Sequence, residues 1–130
     1  MKTEEPKLST LERAALEKLL AGEHAGLELL RNQISYISNV KRVFTGVGFL
    51  TNFVVSPEAS RLSILRKIRF GDVVATSPML RNGVEFLLYV DEGAIAGLEG
   101  FTIDEAWPDP FDTYELGYVR EPRDLSAFDQ

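Results

Sequence analysis

The stretch 83–107, GVEFLLYVDEGAIAGLEGFTIDEAW, leaves a chain of this kind few folds to choose from. Val84, Phe86, Leu88 and Val90 alternate along one side of an extended segment, and Leu87 and Tyr89 make the other side apolar as well. Asp91-Glu92-Gly93 then forms a turn, with Gly93 as the left-handed residue of a short loop. With Val90 and Ala94 flanking a three-residue loop, Phe86 faces Leu98, Leu88 faces Ala96, Tyr89 faces Ile95 and Glu85 faces Glu99. Two carboxylates directly opposed repel, so one is expected to have a raised pKa, hold a cation or pair with a basic side chain. A register slipped by one residue, or two carboxylates reaching into water, is the commoner arrangement and removes that conflict.

Helices precede this hairpin. Ser9-Thr10-Leu11-Glu12 is a capping box, and Leu11, Ala15, Leu16, Leu19 and Leu20 recur at helical spacing up to the stop at Gly22, predicting a helix over 10–21. A second helix is predicted over 25–34, with Leu27, Leu30 and Ile34 on one face. The link at Gly22-Glu23-His24 implies a helical hairpin, and His24, the single histidine, fits a capping or solvated role.

From residue 35 the period changes to two. Segments 36–44 and 49–55 read as strands around Thr45-Gly46-Val47-Gly48, where the glycines mark a bulge or bend, with a tight hairpin as the other option. No further glycine, helix or lysine follows as a phosphate loop requires. Segment 56–69 is an irregular excursion whose Arg61, Arg66, Lys67 and Arg69 are read as a solvated counterweight to the acidic end of the chain. A strand over 70–75 and a last one over 114–120 complete the sheet, and 1–8 and 122–130 are expected to be loosely held.

Composition limits the chemistry. The chain has 130 residues, enough for one domain, and no cysteine, so disulfides, thiolate metal sites and a cysteine nucleophile are excluded. A lone histidine builds no imidazole-rich metal centre, and no cofactor is expected. Charge is uneven: residues 1–40, 41–81 and 82–130 carry −1, +5 and −10, giving the net −6. An acidic domain argues against nucleic-acid binding. With no apolar run of spanning length and no leader pattern, no membrane contact and a cytoplasmic location are expected.

Thr45-Gly46-Val47-Gly48-Phe49, Gly71-Asp72-Val73, the strand 83–90, Leu98-Glu99-Gly100-Phe101-Thr102 and Glu105-Ala106-Trp107-Pro108, taken in order, resemble a family of small, largely uncharacterised bacterial proteins. The resemblance spans about residues 9–120 and implies a compact bacterial domain, with no activity to carry over.

The expected fold is α+β: an N-terminal helical hairpin on a mainly antiparallel sheet of five or six strands, flat or curled. The side carrying Val84, Phe86, Leu88, Val90, Ala94, Ala96 and Leu98 is the expected core face. The other side would present Leu87, Tyr89, Ile95 and Phe101 beside Glu85 and Glu99, a surface for a protein partner or for self-association into a homo-oligomer, unless the excursion covers it. The expected function is accordingly that of a non-catalytic interaction module, by charge resembling an immunity or inhibitor protein. The alternative is a small-molecule-binding domain or carboxylate enzyme using Glu85, Glu99 and Asp104, with Trp107 or Tyr118 as a wall.

Overall fold

A computed structural model describes residues 7–129; residues 1–6 and 130, which belong to the ends expected to be loose, lie outside it. Two helices, α1 (Thr10–Leu19) and α2 (Ala25–Asn32), precede seven strands: β1 (Ile37–Phe44), β2 (Gly48–Val55), β3 (Ile68–Phe70), β4 (Val73–Thr76), β5 (Val84–Asp91), β6 (Ala94–Thr102) and β7 (Glu115–Tyr118). The strands form one open antiparallel sheet in the order β1-β2-β6-β5-β4-β7, with β3 pairing β5 beside β4. The architecture is α+β as expected. The count of seven arises because the strand predicted over 70–75 is interrupted at Gly71 and Asp72, its two halves pairing with successive parts of β5.

The capping box forms: Glu12 N–H donates to the Ser9 hydroxyl at 3.1 Å and Ser9 N–H to the Glu12 carboxylate at 2.7 Å. The helices do not pair as a simple hairpin. α1 lies against β4 and β5, while α2 runs into a 3-10 turn, Gln33–Tyr36, that touches β2. Arg31 ties the link together by donating to Leu20 O at 2.6 Å and Gly22 O at 3.1 Å. His24 caps α2, accepting from Gly26 N–H at 3.0 Å.

The glycine-spaced segment is the tight hairpin rather than a bulge or bend: Phe44 faces Phe49 and Thr45 N–H donates to Gly48 O at 2.9 Å. The β5–β6 hairpin also corrects the expected register. Its loop has two residues, Glu92 (φ 50°) and Gly93 (φ 79°), in the doubly left-handed conformation that matches strand twist. A longer side chain at 93 would also collide with Leu62 O, 2.2 Å from where a Cβ would stand. Asp91 pairs with Ala94 and Val90 with Ile95; an extra residue, Ala96, then bulges out, and Tyr89 pairs with Gly97, Leu87 with Glu99 and Glu85 with Phe101.

That bulge decides which side chains are buried. Val84, Phe86, Leu88 and Val90 line the core as expected, but on β6 the core residues are Ile95 and Leu98, while Ala94 and Ala96 are only half-buried. Phe49, Phe53 and Val55 from β2, Ile68 and Phe70 from β3, and Val73 and Ala75 from β4 complete the sheet side, against Leu16, Leu19, Leu20, Leu27 and Leu30 from the helices. Gln33 joins three segments inside it. Its side chain donates to Ser60 O at 2.7 Å and Gly93 O at 3.0 Å and accepts from Ile95 N–H at 2.8 Å.

The excursion is irregular, as expected, yet it is not simply solvated: Ala59, Leu62 and Ile64 enter the core, and Arg61 donates to Val55 O, Ser56 O and Ala59 O. The C-terminal segment also departs from expectation. Phe128 is fully buried, edge-on to Phe70 with ring centroids 4.8 Å apart, and Arg123 grips Asp72 through two bonds of 2.6 and 3.0 Å. Among the described residues no helix is long and apolar enough to cross a membrane.

Candidate functional site

Burial of a charge demands a partner, and two carboxylates meet that demand on the helical side of the sheet. On β1, Val40, Arg42 and Phe44 alternate toward this side, which brings the Arg42 guanidinium to Glu12 at the start of α1. Glu12 is only 1% exposed. It accepts from Arg42 Nε at 2.8 Å and from Arg42 Nη2, from the Thr51 hydroxyl on β2, and from Ser9 N–H. Burial opposes its ionisation, but the hydrogen bonds from Arg42, Thr51 and Ser9, with the Arg42 charge, outweigh that and hold its carboxyl below the usual value. Asp72 and Arg123 form the second pair.

Beside the Glu12–Arg42 pair lies a cleft of about 500 Å³ between the start of α1, the β1–β2 hairpin and the loop leading to β7. One wall is a chain of rings. Phe49 meets Trp107 edge-on at 5.7 Å, Trp107 meets Phe111 at 5.2 Å, and Phe111 stacks on Tyr114 at 5.2 Å. Trp107 is anchored by its backbone N–H, which donates to Gly46 O at 3.0 Å. Phe44, 72% exposed, stands at the mouth with Asp109 and Asp112. A second, more polar groove of about 760 Å³ runs between α1, α2 and residues 58–60.

The residues singled out in the sequence divide between these regions. Glu85, Leu87, Tyr89, Glu99 and Phe101 share the face of the sheet turned away from the helices, together with Val43, Leu50, Val54, Lys41, Arg69 and Val74. Tyr89 spans the strand gap, lying over Gly97 and donating to Glu99 Oε1 at 2.8 Å. Burial raises the Tyr89 pKa, reinforced by that bond and the Glu99 charge and opposed by Arg69. Glu85 and Glu99 are diagonal rather than opposed, so the expected repulsion across a ladder pair is absent. Ile95 is not on this face; at 1% exposure it belongs to the core. Trp107 sits on the helical side of the sheet in the aromatic cleft, Asp104 in an exposed turn, and Tyr118 donates to Lys18 O at 2.8 Å. Of the residues named for a carboxylate pocket, Glu85 and Glu99 thus share the outer sheet face, while Asp104 lies in a separate exposed turn.

Sequence reasoning passed over Arg42, Thr51, Gln33, Phe111 and Arg123. Arg42 carried a signal: it occupies the same alternation as buried Val40, so its charge had to meet a counterion inside. Nothing local marks Arg123, whose partners lie 51 and more positions away. Both ring nitrogens of His24 are engaged, Nε2 with Asp129 at 2.8 Å, and among the described residues no group of three or more His, Asp or Glu side chains is placed to hold a metal ion. Comparison with protein-family models, with curated proteins and with solved structures gives no match.

Proposed function

We propose that this chain is a non-catalytic interaction module that associates with a second copy of itself through the face of the sheet turned away from its helices. One observation carries the reading. Both helices, the excursion and the C-terminal segment supply the core on one side, while the other side places Val43, Leu50, Leu87, Tyr89 and Phe101 across four adjoining strands. Val43 and Val54 are more than half exposed there. An apolar centre with a charged margin is the composition of a protein-docking surface.

The margin favours a second copy. Lys41 and Arg69 lie in the row of Asn52, Gly97 and Tyr89, whereas Glu85 and Glu99 lie in the rows toward the other end of the strands. A two-fold rotation about an axis crossing the strands lays the basic row of one copy over the acidic rows of the other, as a self-complementary interface requires. The Glu12 and Asp72 carboxylates inside the fold are taken up by ion pairs with Arg42 and Arg123, which leaves neither free to act as a general base.

Sedimentation velocity across the micromolar range tests the reading. Wild type should sediment as a dimer, and Val54→Glu and Tyr89→Ala should shift it to monomer, since face-centred apolar and aromatic contacts carry most interface energy. Leu65→Glu, at a 74% exposed position outside the sheet, should leave the dimer intact. A monomeric wild type, or a dimer indifferent to Val54→Glu and Tyr89→Ala, overturns it.

A further inference from the structure

The aromatic cleft has no part in that association, and its chemistry is specific enough to name a ligand class. Its volume of about 500 Å³ is that of a small-molecule site. The charge at its lining is negative. Arg42, the one cation among the described residues that line it, is neutralised by Glu12 and also donates to Lys7 O at 2.8 Å. Asp109 makes no hydrogen bond or ion pair with a described residue, and Asp112 only accepts from the neighbouring Thr113 hydroxyl at 3.3 Å. Two carboxylates thus stand uncompensated beside the rings of Trp107, Phe111 and Tyr114. Of the amides at the start of α1, those of Ser9 and Glu12 are engaged by the capping box.

We propose that this cleft binds a free, small organic cation of the alkylated-ammonium class. An anion would meet a net charge of −2 from Glu12, Arg42, Asp109 and Asp112. A metal ion would find the two carboxylates but no third side-chain ligand, since among the described residues no group of three or more His, Asp or Glu side chains is placed to hold one. An alkylated ammonium ion is weakly hydrated, its charge is attracted by the negative faces of aromatic rings, and its alkyl groups lie against the wall that the packed rings form. The rings supply shape and desolvation; Asp109 and Asp112 supply the sign.

Trp107 is the only tryptophan in the chain, so intrinsic fluorescence reads this cleft directly. The intact protein is titrated with choline chloride at constant ionic strength, and in parallel with its uncharged isostere 3,3-dimethylbutan-1-ol. Choline should give a saturable change, and the isostere should bind about tenfold more weakly or worse, the loss expected when a cation facing aromatic rings is made neutral. Asp109→Asn combined with Asp112→Asn, both at exposed positions that leave the core untouched, should weaken choline severalfold. Phe111→Ala should abolish saturation, with its melting curve recorded to show that it is folded. No saturation by choline, equal affinity for the isostere, or unchanged affinity in the double aspartate variant overturns the proposal.

Discussion

Arg123 holds four acceptors at once: both Asp72 oxygens, Leu19 O at 2.7 Å and Ala21 O at 2.9 Å, while its guanidinium lies 4.2 Å from the Tyr118 ring centroid. It therefore closes the C-terminal end of α1, where the last carbonyls need donors, and fastens the C-terminal segment to β4. A lysine has a point charge instead of a planar fork, so Arg123→Lys should not rescue the loss seen in Arg123→Ala. Both should destabilise, the alanine variant by about 3–5 kcal/mol because Asp72 is left buried and unpaired, as urea unfolding would measure. Glu12 makes the same kind of demand with a pH signature. Its folded carboxyl lies below the ordinary 4.5, so its contribution is complete above that value and disappears as pH falls through the lowered folded one. Glu12→Gln should cost about 3 kcal/mol or more at neutral pH and flatten the acid limb of stability against pH; an acid limb identical to wild type contradicts this.

Among the elements, the β5–β6 hairpin is where one extra residue has the largest effect. Ala96 reverses the alternation of β6, moving Ile95 from the outer face to the core. Ile95→Ala should therefore cost about 2–5 kcal/mol, the range for a buried aliphatic truncation, against a few tenths if Ile95 faced outward. Gln33→Leu should cost about as much, by orphaning Ser60 O, Gly93 O and Ile95 N–H, and hydrogen exchange at Ile95 should quicken in particular. These residues show where sequence stops being informative. The capping box at Ser9, the α1 stripe and the apolar side of β5 follow from local periodicity, and the structure contains them. The bulge does not, because Asp91-Glu92-Gly93-Ala94 suits a two-residue or a three-residue loop equally and the choice falls to packing around Leu62 and Gln33. The aromatic cleft was illegible for a similar reason. Phe44 and Phe49 face each other across a short hairpin, but Trp107 reaches them only through the pairing of β2 with β6, a long-range choice with no local mark.

On the scale of the whole molecule, the charge imbalance along the chain is partly neutralised by ion pairs, since the basic middle supplies Arg42 to Glu12 in the interior and Arg81 to Glu105 at the surface, while the acidic end contributes Arg123 to Asp72. What remains on the outer sheet face is two-signed. If association places the basic row against the acidic rows, Arg69→Glu should weaken the dimer about tenfold or more, and adding Glu85→Arg should recover part of it with the monomer's melting unchanged; a dimer insensitive to both contradicts that arrangement. The seam between β2 and β6 has a consequence of another kind, in the time the chain takes to reach this structure. The β1–β2 and β5–β6 hairpins are each closed by a short turn and can zip within microseconds. Gly48 must then find Phe101, and Asn52 must find Gly97, across the excursion and two further strands. Each hairpin waits with an unpaired edge until that search ends. Stopped-flow refolding should accordingly be slowed both by substitutions in the seam, such as Thr51→Ala, and by changes in the 45–47 turn, the turn changes leaving unfolding rates almost unaltered, because the barrier lies in joining two finished halves rather than in making either.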